Sequence, residues 1–166
     1  RGFRAGFPSE FIEREDGLPG LLQAYDMQFA FEELEIGLMY QAVANGDVDV
    51  ISGFSTDGRI KAYKLRVLQD DQGYFPPYEA AALVRQEAGR RYPKLLPTLN
   101  RLAGLLTDST MAALNYQVDE QKLATADVAR DWLRAQGFAL GSTPGTGAPV
   151  VIGSKAFTEN FILADL

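Results

Sequence analysis

The amino-acid sequence predicts an α/β protein built around a parallel sheet, and three observations lead to this fold class. Short stretches rich in β-branched and aromatic residues alternate with longer stretches of helical periodicity over residues 3–56. Strands that alternate with helices in this way form β-α-β units, in which neighbouring strands run parallel. The chain has 166 residues, 46% hydrophobic and 23% charged, which is the composition of a globular protein with room for one domain or two small lobes.

The first half of the chain supplies the pattern strand–helix–strand–helix–strand. Pro19 favours the start of the first helix, because proline fits the first helical position and its missing N–H costs nothing there. Gly46 favours the end of the second helix, because glycine readily adopts the left-handed backbone that closes many helices. The predicted elements are strands at residues 3–7, at residues 28–32 and from residue 48 onward, separated by helices that begin at Pro19 and cover residues 36–44.

The second half is predicted to be mostly helical. Pro76 and Pro77 exclude a central strand at residues 74–78, because proline cannot donate to a strand ladder, so three aromatic residues surround a rigid bend. The helical spacing of Leu and Trp side chains after Gln86 predicts buried helix faces. Further predictions are short strands at residues 65–68, 80–84 and 150–152, helix N-caps at Thr107 and Thr125, a Gly/Pro/Thr linker at residues 141–149, and a last helix that opens after Lys155.

The segment 48–59 changes character where its strand ends. Gly53 removes a side chain directly before the aromatic Phe54, and a polar run of Ser, Thr, Asp, Gly and Arg follows. Ligands of α/β proteins bind at the carboxyl ends of strands, so this pattern indicates a binding site. An ordinary turn built on Asp57 and Gly58 is the alternative.

Composition excludes several functional classes. The chain carries 16 basic and 22 acidic residues, a net charge of −6, which argues against a nucleic-acid partner. It has no histidine and no cysteine, which excludes Ser-His-Asp and Cys-His catalysis as well as disulfides. No apolar run approaches the ~20 residues of a membrane span. The sequence shows no signal peptide and begins with Arg, so we expect that an N-terminal segment was removed or never included.

Several residues carry chemistry that fits a zwitterionic ligand. Phe11, Phe54 and Tyr78 offer aromatic faces, which attract quaternary ammonium cations. Arg14 and Lys155 offer positive charge for a carboxylate, and a helix start after Lys155 adds amide donors. Each has an ordinary alternative: the phenylalanine rings lie in the core, Arg14 pairs with neighbouring glutamates, Tyr78 packs on its prolines, and Lys155 is simply exposed.

Three segments resemble motifs of the glycine betaine/choline/carnitine-type substrate-binding proteins of ABC importers. They are PSEFIEREDGLPG at residues 8–20, VDVISGFSTDGR at residues 48–59 and LQDDQGYFPPY at residues 68–78, and the helical stretch 102–133 is also similar. The resemblance covers nearly every residue outside the linker. It implies a type II periplasmic-binding-protein-like α/β fold, in which two lobes with parallel-rich sheets flanked by helices close on a ligand.

The order of the motifs departs from this family. VIGSKAFTEN at residues 151–160 resembles the start of a mature family member, yet here it follows the linker. We therefore expect either a circular permutant or a chain that spans the end of one copy and the start of another, with most of the first lobe missing. The implied domains are a complete second lobe at residues 1–68, a hinge return with a strand and the C-terminal helices of the first lobe at residues 69–140, the linker at residues 141–149, and the first strand and helix of the first lobe at residues 150–166.

The resemblance also implies which residues contact the ligand. Phe54 and Tyr78 correspond to two walls of an aromatic box, and Phe54 lacks the hydroxyl that a tyrosine supplies in some family members. Arg14 corresponds to an arginine that swings to the ligand on closure. The implied ligand contacts are Phe11, Arg14, Phe54, Tyr78, Lys155 and Asn160.

Two further residues are expected to support these contacts from behind. Thr56 and Asp57 follow the aromatic wall, and Asp57 is expected to orient Arg14 or Arg59. Tyr40 is expected to pack within its helix rather than to touch the ligand.

These roles imply the substrate-binding component of an ABC importer for quaternary ammonium osmoprotectants such as glycine betaine, carnitine and choline. The expected partners are the small ligand and the membrane subunits of the importer, without a cofactor or metal. The parent protein is expected outside the cytoplasm, in the periplasm or on the outer face of the cell membrane. With half of the box missing, this chain is expected to bind weakly or not at all alone, and an incomplete lobe leaves self-association or domain swapping open.

Two alternatives remain at this point. An enzyme on the same two-lobed fold would use Glu13, Glu15 and Asp16 as acid and base groups. An isolated lobe, made as a structural fragment with little binding, would also account for the permuted order and the linker.

Overall fold

The first strand of the chain lies at the centre of a three-stranded parallel sheet. In the computed structural model, which describes residues 2–141 and 149–166, the strand order is β2-β1-β3. Ala5 pairs with Phe31 on one side and with Val50 on the other. The predicted parallel α/β pattern is therefore confirmed. The elements of this part are β1 (Ala5–Phe7), α1 (Ser9–Glu13), α2 (Leu18–Ala24), β2 (Phe31–Glu33), α3 (Ile36–Asn45), β3 (Val50–Ile51) and α4 (Gly58–Ala62).

The two faces of β1 are filled in different ways. Ala5 and Phe7 are buried on one face and pack with Leu18 of α2 in a hydrophobic core. Gly6 points to the other face, where a Cβ atom would lie 2.3 Å from Cδ1 of Leu34. Glycine at this position therefore leaves room for the Leu34 side chain over the central strand.

The chain forms two compact units, of which the first ends at Tyr78 and the second begins at Glu79. The first unit thus extends beyond the boundary predicted at residue 68. The reason is the turn cluster at Asp70, which is hydrogen-bonded to Tyr25, the residue that caps α2.

The second unit is helical and has a core of its own. Its buried residues are Met111, Leu114, Val128 and Ile162, and the single tryptophan, Trp132, packs against them as predicted. The elements are α5 (Gln86–Arg91), α6 (Leu95–Leu99), a 3-10 turn (Asn100–Leu102), α7 (Asp108–Asp119), α8 (Thr125–Ala135) and α9 (Thr158–Asp165).

The helix ends agree with the predictions at Gly46 and Thr107 and differ from the prediction at Thr125. Thr107 caps α7 by accepting a hydrogen bond from the Thr110 amide. Gly46 and Gly137 follow α3 and α8 with positive φ angles of 78° and 79°. The prediction for Thr125 was wrong, because Thr125 is the first residue of α8 and Ala124 occupies the N-cap without a side-chain hydrogen bond.

Three predicted strands do not form. Among residues 2–141 and 149–166, the strands are β1, β2 and β3, and none lies at residues 65–68, 80–84 or 150–152. Leu83 and Val151 are 98% and 91% exposed. Their β-favouring side chains are not enough, because a strand is stabilised by a hydrogen-bonded neighbour and a face to bury. Of the predicted linker, residues 142–148 lie outside the described residues.

Candidate functional site

The topology of the sheet marks one edge of the first unit as a candidate site. β1 and β3 are parallel neighbours, so the segments that follow them leave the same edge of the sheet. From β1 the chain continues to β2 on one side, while β3 lies on the other side of β1. The direction of strand order therefore reverses at β1, and such switch points are where open α/β sheets bind ligands. The segment after β1 carries Phe11 and Arg14, and the segment after β3 carries Phe54.

Phe54 presents its ring to solvent from a fixed backbone. The residue is 62% exposed, although only two residues separate it from the end of β3. Its amide donates to the hydroxyl of Tyr40 at 3.3 Å, and its carbonyl accepts from the amide of Asp57 at 3.0 Å. The exposed aromatic wall predicted at this position is thus consistent with the structure, whereas contact with a ligand stays a prediction.

Behind Phe54 lies a polar cluster of Tyr40, Asp57 and Arg59. The Asp57 carboxylate accepts from the Arg59 guanidinium through two bonds of 3.0 and 2.7 Å and also caps α4 through the Arg59 amide. The guanidinium carbon lies 4.0 Å from the centre of the Tyr40 ring, in a cation–π contact. Burial and the hydrogen-bonded Asp57 carboxylate both raise the pKa of the Tyr40 hydroxyl. Asp57 therefore orients Arg59, one of the two predicted options, and half-buried Thr56 keeps its supporting role as a prediction.

Phe11 is a packing residue at the edge of the core. It packs against the cluster of Ala5, Phe7 and Leu18, and its ring lies 5.5 Å from that of Phe7. Its other side stacks on Phe75 at 6.5 Å with an interplanar angle of 29°. The core alternative named for this residue is therefore what the structure shows, and a ligand contact by Phe11 stays a prediction.

Arg14 is exposed and held by carboxylates of its own segment. Its guanidinium contacts Asp16 through two bonds of 2.8 and 2.5 Å and lies 3.6 Å from Glu10. The hydrogen bond to Asp16 raises the pKa of Arg14, with smaller contributions from the charges of Asp16, Tyr78 and Glu10. The ion-pair alternative is thus present, with Asp16 and Glu10 in place of the flanking glutamates Glu13 and Glu15.

The same ion pair bears on the enzyme alternative. The hydrogen bond from Arg14 lowers the pKa of Asp16, whereas a general acid at neutral pH needs a raised pKa. Among the described residues there is no group of three or more acidic side chains placed to hold a metal ion.

Tyr78 closes the first unit at the end of a tethered segment. The carboxylate of Asp70 accepts from the Tyr25 hydroxyl and from the amides of Tyr74 and Phe75, the last two at 3.0 and 2.9 Å. Those hydrogen bonds, Tyr25 first, lower the pKa of Asp70. The Tyr74 hydroxyl in turn donates to the carbonyl of Gly17. Tyr78 is 74% exposed, so packing on its prolines does not bury it.

Lys155 and Asn160 lie in the second unit. Lys155 is exposed and precedes the first residue of α9 by three positions, while Asn160 is half-buried within that helix. Thr158 anchors the start of α9 by donating to Asp119 at 2.6 Å. The helix predicted after Lys155 is confirmed, and the ligand contacts of both residues stay predictions.

The sequence did not single out Asp70 or assign Tyr40 a role beyond packing. The signal for Asp70 was its place in the turn Asp-Asp-Gln-Gly. An aspartate carboxylate in a turn often accepts hydrogen bonds from amides a few positions ahead. For Tyr40 no local signal exists, since its partner Phe54 lies 14 residues away.

The first unit therefore has a parallel α/β sheet with one exposed aromatic side chain, that of Phe54, at its switch point. Residues 2–135 match the family described as the substrate-binding domain of ABC-type glycine betaine transport systems, and the chain belongs to that family. This agrees with the predicted fold class. In the described residues no helix is long and apolar enough to cross a membrane.

Individual relatives support this assignment. The chain is 39% identical over 139 residues to the carnitine transport binding protein OpuCC of Listeria monocytogenes, covering 82% of this chain and 45% of the relative. It is 40% identical over 128 residues to a glycine-betaine-binding protein of Pseudomonas aeruginosa, covering 75% of this chain and 41% of the relative. A crystal structure titled as a glycine betaine/carnitine/choline ABC transporter superposes with a TM-score of 0.71 at 40% identity, covering 81% of this chain and 50% of that one. The chain thus spans about half the length of the proteins it matches.

Proposed function

We propose that this chain supplies one lobe of a substrate-binding protein that captures quaternary ammonium osmoprotectants for an ABC importer. The observation that carries the proposal is Phe54, a ring left 62% exposed on a hydrogen-bonded backbone at the switch point of the sheet. An exposed aromatic face at the ligand-binding edge of an α/β sheet is placed to meet a cationic ligand. Family membership and the ligands named for the relatives, carnitine and glycine betaine, support the same ligand class.

The aromatic residues suit the cationic end of such a ligand. A trimethylammonium group spreads its charge over methyl groups and is weakly hydrated, so it gains from aromatic faces when water is excluded. Phe54 and Tyr78 are the two exposed candidates of the first unit, and a contact by the half-buried Phe11 stays a prediction. The opposing walls would come from outside the first unit.

Arg14 suits the carboxylate end. Its planar guanidinium already makes a two-bond contact with a carboxylate, that of Asp16, so a ligand carboxylate would make the same contact by exchange. Because this ion pair is exposed, the exchange costs little. The predicted ligand contacts of Lys155 and Asn160 stay predictions.

The chain would act by binding and not by catalysis, in keeping with relatives that are transport-binding proteins. Substrate-binding proteins of ABC importers bind small ligands, interact with membrane permease subunits and work outside the cytoplasm. The same partners and location are proposed for the protein to which this chain belongs. Circular permutation and self-association stay predictions.

A ligand titration followed by NMR tests the proposal. Amide signals of the chain are recorded with glycine betaine and choline, and with 3,3-dimethylbutan-1-ol, the neutral isostere of choline. We expect saturating shifts around Phe54 and Tyr78 with a dissociation constant of about 1 mM or weaker, because the chain spans half of a two-lobed family member.

The variant Phe54→Ala should weaken binding and reduce these shifts about fivefold at a fixed ligand concentration, and Phe54→Tyr should keep them. Phe31→Ala, at another exposed phenylalanine of the same unit, is the matched control and should leave them unchanged. An equal response to the neutral isostere, or no response to either cation, would contradict the proposal.

A further inference from the structure

The backbone around Phe54 is tied to a side chain that the ligand cannot reach. Tyr40 is 2% exposed in α3, and its hydroxyl accepts the Phe54 amide at 3.3 Å. The same hydroxyl is hydrogen-bonded to the carboxylate of Asp57. One oxygen therefore joins the residue that carries the exposed ring to the residue that caps the next helix.

Contacts among Asp57, Arg59 and the Phe54 backbone together restrain the position of the Tyr40 hydroxyl oxygen. Asp57 is held by the Arg59 guanidinium, and that guanidinium covers the Tyr40 ring at 4.0 Å. A hydrogen bond from the Asp57 amide to the Phe54 carbonyl completes this set of contacts. Tyr40, Asp57 and Arg59 thus form a ring of contacts in which each partner restrains the other two.

Gly53 shows how closely the loop approaches this hydroxyl. A Cβ atom at residue 53 would lie 2.8 Å from the Tyr40 hydroxyl oxygen, closer than non-bonded carbon and oxygen approach. The chain therefore passes Tyr40 without a side chain and turns outward at the next residue. The hydroxyl sets where this turn occurs.

We propose that Tyr40 is the positioning residue that aims the Phe54 ring, acting through its hydroxyl and supported by Asp57 and Arg59. This inference rests on the proposed function. An aromatic face stabilises a cation only when the cation lies over the ring, so a small rotation of the Phe54 backbone weakens the contact. Tyr40 thereby sets ligand affinity without touching the ligand.

The first test removes only the hydroxyl, in Tyr40→Phe, and measures hydrogen exchange at the Phe54 amide. We expect exchange to become roughly fivefold to tenfold faster, because one hydrogen bond of ordinary strength is lost. The matched control is Tyr63→Phe, which removes a hydroxyl of the same unit that donates to the Gln41 side chain instead of contacting the loop. Equal exchange at Phe54 in the two variants would overturn the inference.

The second test separates positioning from general stability. Tyr40→Phe should weaken choline binding severalfold in the wild-type background, whereas in a Phe54→Ala background it should change the residual affinity by less than about twofold. Weakening of similar size in both backgrounds would show that the hydroxyl acts elsewhere and would overturn the inference.

The two proposals fail in different ways. If the wild-type chain binds no quaternary ammonium ligand at all, the proposed function fails, and exchange at Phe54 then decides alone whether Tyr40 holds the backbone. If the ligand binds and Tyr40→Phe behaves like Tyr63→Phe in both tests, the function stands and the role of Tyr40 is refuted.

Discussion

The two units of this chain differ in what happens to their strand-like segments. In the first unit, β1 finds neighbours on both sides and buries Ala5 and Phe7 against α2. In the second unit, residues 150–152 are all β-branched and yet form no strand. The difference shows that partners, more than propensity, decide whether a strand forms. The first unit carries the strand partners of β1 within its own 78 residues.

The largest expected effect comes from the helical core of the second unit. Ile162 is fully buried there, so Ile162→Ala should lower the free energy of unfolding by about 3 kcal/mol through lost burial and a residual cavity. Urea unfolding followed by Trp132 fluorescence measures this directly, since Trp132 packs on the same core. The neighbouring exposed Phe161 is the control, and Phe161→Ala should cost less than about 1 kcal/mol. Equal losses would mean that this core does not stabilise the second unit.

A substitution at Gly17 tests whether the α1–α2 turn of the first unit tolerates an added methyl group. A Cβ atom at Gly17 would lie 2.2 Å from the backbone carbonyl oxygen of Phe11, which no rotamer change can relieve. Gly17→Ala should therefore destabilise the α1–α2 turn by about 2 kcal/mol, seen as faster hydrogen exchange of the β1 amides. In Gly37→Ala the added methyl meets no atom within 4 Å, and a better helix former should leave exchange unchanged or slow it. Equal hydrogen exchange of the β1 amides in Gly17→Ala and Gly37→Ala would contradict this prediction.

The smallest effect is expected at the tether of the first unit and depends on pH. Hydrogen bonds from Tyr25 and from the amides of Tyr74 and Phe75 hold the pKa of Asp70 below its usual value of about 4. A lowered folded-state pKa gives stability that is present above the usual value and is lost as pH falls through the lower one. Exchange at the Phe75 amide should therefore be slower in wild type than in Asp70→Asn at pH 6.

That difference should shrink as the pH falls below about 4. Asp71→Asn, at the exposed neighbouring carboxylate, is the control and should follow the wild type throughout. A gap between wild type and Asp70→Asn that stays constant down to pH 2 would contradict the assignment of the tether to the Asp70 charge.

The sequence predicted the first unit better than the second for a physical reason. Gly46 and the β-branched residues of β3 act locally, and these features appear where their residues stand, whereas the helix predicted to begin at Pro19 begins one residue earlier, at Leu18. The strand at residues 80–84 was wrong because its formation depends on neighbours that a local pattern cannot reveal. Thr125 failed as a cap because Ala124 is the residue with extended backbone at that helix start.

The sequence predicted the exposed aromatic side chain of the candidate site but not the residue that holds its backbone. Phe54 was predicted from a glycine–aromatic–polar pattern at a strand end, and the structure leaves that ring in solvent. Phe11 has an equally suggestive setting, yet its ring is used for packing between Phe7 and Phe75. Which aromatic faces inward depends on the fold around it. The same holds for Tyr40, whose hydrogen bond to Phe54 bridges two elements.

The close approach of Gly53 to Tyr40 also restricts the order in which this loop can mutate. With Tyr40 in place, a Cβ atom at residue 53 lies 2.8 Å from the Tyr40 hydroxyl oxygen. The same Cβ atom lies 3.5 Å from Cζ, the ring carbon that carries the hydroxyl, which is an ordinary contact distance. Alanine at residue 53 is therefore compatible with phenylalanine at residue 40 and strained with tyrosine. The two substitutions can occur in either order, and only the order that changes Tyr40 first avoids the clash. A substitution at residue 53, in the exposed loop, therefore depends on an earlier substitution at the buried residue 40.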